Sequence, residues 1–168
     1  FVMAGYNTRL VRRSDALLGG AYGERFRYRE VLPTGRGLGG RARATAIAAG
    51  MGALVVGMAT PGVRSLIDRA LPSPGVGPSE QRRRSGSFAI ETTTRTVDGR
   101  RLTATVAAQG DPGYAATSVM LGEAGLALAV DGERCSAEGG ILTPAVAMGD
   151  VLVERLRGQG FTLEVRAA

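Results

Sequence analysis

Apolar positions change their spacing several times along the chain, and each change marks an element. Asn7 or Thr8 can cap a helix whose apolar residues recur to about Leu18, where Gly19-Gly20 stops it. Phe26 and Tyr28 alternate with Arg27 and Arg29 as in a half-buried strand, ended by Pro33. The glycines of Thr34 to Gly40 lead into a long apolar helical stretch, and Thr60-Pro61 can cap and open a second helix through Leu71. Pro72, Pro74, Gly75, Gly77 and Pro78 make the clearest linker, about 72–78, before a short helix from Ser79 to Arg84.

Beyond the linker the periods are more regular. Phe88 to Val97 and Arg101 to Ala108 are Thr- and Val-rich runs separated by Asp98-Gly99, which predicts a β-hairpin with a type I′ turn. Asp111-Pro112 is placed to cap a helix to about Val130, and Thr143-Pro144 another to about Arg157. Gly160 ends the latter, and Phe161, Leu163 and Val165 alternate as a final strand. Hairpin, helix, helix, strand is an α+β order: a mixed or antiparallel sheet packed by several helices, with no complete Rossmann domain and no internal repeat.

Composition narrows the chemistry. A chain of 168 residues with 44% apolar content fits one domain with a core of its own. All 21 basic residues are Arg and there is no His, which excludes a His base, a His metal ligand and a Ser-His-Asp triad within these residues. Cys135 is the single cysteine, so no internal disulfide forms, which favours a reducing, cytoplasmic compartment. The net charge of +6 raises nucleic-acid binding, but the arginines are scattered rather than striped, and none is expected. Phe1 to Tyr6 lacks the features of a signal peptide, and the chain reads as starting inside a longer one.

Several segments could carry function. Gly35-Arg36-Gly37-Leu38-Gly39-Gly40 matches G-x-G-x-x-G, yet no Asp or Glu occurs between Glu30 and Asp68 to hold a ribose, and no parallel strand follows. No cofactor site and no metal site is expected within these residues. Ala44 to Val63 is free of charge and bracketed by Arg43 and Arg64. It has the length of a membrane span, but its Ala, Gly, Thr and Pro content favours a buried core helix or a membrane-surface contact. The Asp111-Pro112-Gly113-Tyr114 turn places a phenol in the first turn of a helix, where it could donate to a substrate oxygen. Asp111 and Thr143 read first as caps, and Glu123, among Met120, Leu121, Ala124 and Leu126, either faces water or is buried against an Arg.

Three of these segments carry a family resemblance. Tyr6-Asn7-Thr8-Arg9, the Gly110 to Tyr114 run with Met120-Leu121-Gly122-Glu123, and Gly140 to Ala145 through Gly149-Asp150 resemble the C-terminal region of saccharopine dehydrogenase-like oxidoreductases. The bacterial trans-acting enoyl reductases look most similar among them. The most specific parts are Asp111-Pro112-Gly113-Tyr114 and Leu142-Thr143-Pro144-Ala145, followed by the Phe161 to Val165 strand.

The resemblance implies that residues 1–168 form a single C-terminal, substrate-covering domain of a larger two-domain oxidoreductase. It also implies an N-terminal Rossmann domain, outside this sequence, that binds NAD(P)H. The substrate would be an acyl chain made by a lipid-forming polyketide synthase. Tyr114 is then the catalytic candidate, with Asp111, Gly113, Glu123 and Thr143 as substrate-side or positioning residues, and the fragment alone is expected to be inactive. The rival reading is a non-catalytic lipid- or membrane-associated domain of the same fold, supported by Ala44 to Val63.

Overall fold

The computed structural model describes Phe1 and residues 3–72 and 75–167; Ser73 and Pro74 of the expected linker lie outside them. The described residues form six α-helices and one three-stranded antiparallel sheet, the α+β class expected. They divide into two compact units, Phe1–Ala4 with Arg29–Gly77, and Gly5–Tyr28 with Pro78–Ala168.

In the first unit, α2 (Gly37–Ala59) is followed by α3 (Pro61–Ala70). Pro61 takes the first helical position, but Thr60 makes no capping bond. Its hydroxyl donates back to Val56 O at 2.9 Å, a local alternative open to Ser and Thr near helix ends. A Cβ on Gly57 would lie 2.9 Å from Ile67 Cδ1 and 3.2 Å from Val63 Cγ1, so this glycine lets α3 turn back against α2. Most of α2 is bare: 6% of its apolar window is buried, and Ile47, Leu54, Val55 and Val56 are all exposed. The first unit by itself therefore does not bury α2 as a core helix, one of the sequence expectations for this stretch.

The second unit opens with α1 (Ala4–Leu17), which starts three residues before Asn7; neither Asn7 nor Thr8 is its cap. It ends in a Schellman motif, with Gly20 N–H donating to Asp15 O at 2.8 Å and Gly19 N–H to Ala16 O at 3.2 Å. Gly19 carries the positive φ of 67° that this ending requires. The expected strand after it is absent. Phe26 and Tyr28 are half-buried and their Arg neighbours exposed, and Phe26 meets the Tyr22 ring edge-on at 5.0 Å, but this stretch lies in no strand of the described sheet. Alternation alone does not make a strand.

After α4 (Glu80–Ser85) come β1 (Ser87–Arg95) and β2 (Arg101–Gln109), the hairpin read from the sequence. Its turn differs from the expectation. A type I′ turn needs positive φ at both central residues, whereas Gly99 has a φ of 86° and no non-glycine residue is positive. Gly99 N–H donates to Thr96 O at 3.0 Å and Thr96 N–H to Arg100 O at 2.9 Å, giving a three-residue loop with Gly99 at its left-handed position.

Asp98 accepts from the Thr96 hydroxyl and from Arg100 Nε, and these two bonds, Thr96 first, hold its carboxyl below the ordinary value. A lowered folded-state value means that the contribution is present above the unfolded carboxyl range and is lost as pH falls through the folded value. A carbon-detected NMR titration should place the Asp98 midpoint below that of an unstructured Asp peptide; an equal or higher midpoint would show that the turn bonds do not persist in solution.

The unit is completed by α5 (Ala115–Val130), a short 3-10 turn at Gly132–Arg134, α6 (Pro144–Gly158) and β3 (Thr162–Ala167). Strand order is β1-β2-β3, and β3 returns antiparallel to β2 with Leu163 opposite Val106. Phe88, Ala108 and Leu163 lie on the face that α5 and α6 cover. Phe88 meets Phe161 edge-to-face at 6.4 Å, and Ala108, Ala116 and Leu156 are buried around them. Further along α5 and α6, Ala127, Met148 and Val151 form a second buried cluster. The same sheet face is uncovered farther from this core, where Ile90 is 57% and Val165 71% exposed.

Candidate functional site

The best-built local structure outside the regular elements is the turn from Gly110 to Tyr114. It is held at its base by α4 and the start of β1. Gly110 N–H donates to Gly86 O at 2.7 Å and Asp111 N–H to Arg83 O at 2.9 Å. A Cβ on Gly86 would sit 2.8 Å from Asp111 Cα, so the two backbones approach closely only because position 86 is glycine. Gly110, with a φ of 94°, bends the chain off the end of β2.

Asp111 is not the helix cap that the sequence suggested, and Pro112 is not the first helical residue. The helix begins at Ala115, and Tyr114 occupies the cap position without a side-chain capping bond. Asp111 Oδ1 instead accepts from Tyr114 N–H at 2.7 Å, an Asx-type closure of the turn. Its Oδ2 is buried without a hydrogen-bond partner, an unusual state for a carboxylate oxygen. Gly113 leaves room for this arrangement, since a Cβ there would meet Asp111 Oδ1 at 3.3 Å. Tyr114 is 56% exposed. The turn thus combines a fixed backbone and an exposed phenol with one carboxylate oxygen buried beneath them.

Glu123 and Thr143 are placed elsewhere. Glu123, on α5, is buried against an Arg: Oε2 accepts from Arg155 Nη1 and Oε1 from Gln159 Nε2, both at 2.8 Å. Arg155 also donates through Nε to Asp131 Oδ2 at 2.7 Å, so one guanidinium ties α6 to the middle of α5 and to the residue that follows it. The Glu123 bond first, then Asp131, holds Arg155 protonated more firmly than an ordinary Arg.

Thr143 occupies the cap position of α6, as expected, but makes no side-chain capping bond; its hydroxyl lies 2.7 Å from Ser14 Oγ on α1. Ser14 Oγ also lies 3.1 Å from Leu10 O, and either hydroxyl of the Ser14–Thr143 pair can be its donor.

A shallow apolar depression of about 390 Å³ lies along α6 and β3, lined by Pro144, Gly149, Leu152, Leu156 and Leu163, with Asp150 as its charged member. Gly149 interrupts α6 with φ 47° and ψ −125°, a conformation open to glycine. None of Tyr114, Asp111, Gly113, Glu123 or Thr143 lines this depression. Gly35 to Gly40 forms the approach to α2 and its first turn, where Gly40 lies too close to Gly35 O for a Cβ; among the described residues no strand directly precedes or follows it as a dinucleotide cradle requires. Among the described residues no group of His, Cys, Asp and Glu is arranged to hold a metal.

Sequence reasoning missed Arg155, Asp131, Gln159 and Ser14. A lone acid on an otherwise apolar helix was the available signal for Arg155, and nothing local pointed to Ser14.

Comparison with known proteins bears on the segments around these turns. A Mycobacterium tuberculosis protein named as a trans-acting enoyl reductase is 48% identical over 168 residues, 98% of this chain and 40% of that protein. A trans-acting enoyl reductase of Mycobacterium ulcerans is 46% identical over 95% of this chain and 39% of its own length, and one of Mycobacterium bovis is 42% identical over 97% and 40%. This chain is similar to part of the trans-acting enoyl reductases. It spans about 40% of the length of these relatives. No family model and no solved structure matches it.

Proposed function

We propose that the chain is the C-terminal, substrate-covering domain of an NAD(P)-dependent enoyl reductase of the saccharopine dehydrogenase-like group. On this reading the enzyme works in the cytoplasm on acyl chains of lipid biosynthesis carried by a polyketide synthase. The observation that carries it is the 48% identity, which extends over 98% of the chain to a protein named for that activity. The bare sheet face at Ile90 and Val165 supports a partner domain, since apolar sheet surface is normally covered.

The residues of this chain do not fit a dinucleotide: Gly35 to Gly40 has neither a sheet nor a ribose-binding acid beside it. On this reading NAD(P)H, which supplies the hydride, would be held by an N-terminal Rossmann domain, as the resemblance implies. What this chain contributes is the Gly110 to Tyr114 turn. Tyr114 donates a hydrogen bond to the thioester oxygen as negative charge builds there, and Asp111, through Tyr114 N–H, keeps the phenol's backbone in place. Glu123 and Thr143 act through packing, by fixing α6 against α5 and α1.

The test is reduction of an enoyl thioester by the complete protein with NADH and with NADPH. Alongside it, calorimetric titration of the 168-residue chain alone should show no saturable binding of either dinucleotide. Binding abolished by Gly37→Val would return the nucleotide site to this chain. The second reading, a lipid-associated domain without redox function, is favoured by the exposure of α2.

A further inference from the structure

We infer that α2 and α3 form a monotopic anchor, which enters one leaflet of an anionic bilayer and leaves on the same side without crossing it. This is independent of the reductase assignment, since an enzyme and a redox-inactive domain could both use it. A helix apolar on all its faces belongs in a core or in lipid, and the first unit leaves α2 bare.

Charge selects the occupant. Arg36, Arg41 and Arg43 stand at the start of α2, and Arg64 and Arg69 lie on α3, against a single acid, Asp68. Charged residues border the apolar stretch rather than enter it, which suits lipid headgroups beside hydrocarbon better than a protein groove.

Connectivity decides between anchoring and spanning. The chain leaves the sheet unit at Tyr28 and returns to it at Pro78. That unit is one body across the insertion, because Ser14 on α1 meets Thr143 at 2.7 Å and Arg13 donates to Ile141 O at 2.8 Å. Both ends of the insertion therefore lie on one side of any membrane. A span by α2 would need a second crossing, and α3 cannot supply it: ten residues reach roughly 15 Å at ~1.5 Å each, half of a ~30 Å hydrocarbon core.

Nor is α2 itself long enough where it is uncharged. From Ala44 to its end at Ala59 it covers roughly 24 Å before the break at Thr60-Pro61. Beyond the break, α3 is built to lie flat. Val63 and Ile67 pack near Gly57 and Leu66 is 64% exposed, while Arg64 and Asp68 pair at 3.7 Å on the polar side.

The chain has no Trp, so Val55→Trp, at a position 65% exposed, gives a single fluorescent reporter on α2. With vesicles of equimolar phosphatidylcholine and phosphatidylglycerol, its emission should shift to the blue and be quenched by brominated acyl chains. Arg41→Gln with Arg43→Gln should weaken partitioning on the order of thirtyfold. Ile47→Glu with Leu54→Glu should weaken it by about tenfold or more. Because all four side chains sit on exposed stretches of α2, unfolding of the sheet unit should be unchanged and serves as the folding control.

For topology, Arg36→Cys and Asp68→Cys, each in a Cys135→Ser background, should both react with a membrane-impermeant maleimide added outside the vesicles. Labelling of Asp68→Cys only after detergent lysis would mean a span. An unquenched Trp, equal binding to pure phosphatidylcholine, or partitioning unmoved by the α2 substitutions would each overturn the anchor.

Discussion

Tyr114→Phe in the complete enzyme is expected to lower turnover roughly a hundredfold while leaving stability nearly unchanged. The magnitude is that of one donor removed from a developing oxyanion. Stability should be spared because the Tyr114 side chain is 56% exposed and only its backbone N–H is used by the turn, which Phe retains. Asp111→Ala is the complementary variant. It removes the acceptor for Tyr114 N–H and should cost about 1 kcal/mol of stability, as loss of a capping-type side chain does. Turnover and thermal unfolding measured on both variants separate the roles. A Tyr114→Phe enzyme with full turnover and a lowered unfolding temperature would make Tyr114 a packing residue.

Glu123→Ala should destabilise the chain by about 2 kcal/mol, since Glu123 is 8% exposed and both its oxygens are satisfied by side chains of α6 and its C-terminal end. The substitution leaves the Gln159 amide without its acceptor and removes one of two carboxylates from Arg155, which keeps Asp131. For a domain of this size the unfolding midpoint should fall by roughly 5 °C. Urea denaturation of the chain checks it. An unchanged midpoint would release Glu123 from a structural role and return it to the candidates that face substrate.

The legible part of the fold is the part set by local chemistry. Asp98-Gly99 between two Thr- and Val-rich runs located the hairpin, Pro144 started α6, and Gly160 ended it. What failed depended on partners far away or on a backbone angle. The hairpin loop keeps Asp98 out of the left-handed region that a type I′ turn would impose on it. The alternation at Phe26 and Tyr28 did not become a strand of the sheet. Asp111-Pro112 has the chemistry of a helix start, but the close contact of Gly86 with Asp111 holds this turn apart, and the helix begins at Ala115. Of the candidate residues, Tyr114 and Asp111 were readable together because one turn carries both. The Arg155 partners of Glu123 and Asp131 come from 32 and 24 positions away, a pairing that no local pattern encodes.

The bond between Ser14 and Thr143 joins positions 129 apart, with α2, α3 and the whole hairpin between them. In kinetic terms a contact of such long sequence separation is costly to close early. A β-hairpin closes in roughly 1–10 μs, and α5 and α6 are near neighbours, so the sheet and its two helices can assemble through short loops. We expect α1 to dock after α6 has positioned Thr143, as a latch on a sheet unit already formed. Ser14→Ala should then accelerate unfolding while refolding keeps its rate, and slower refolding of that variant would place α1 in the folding nucleus instead.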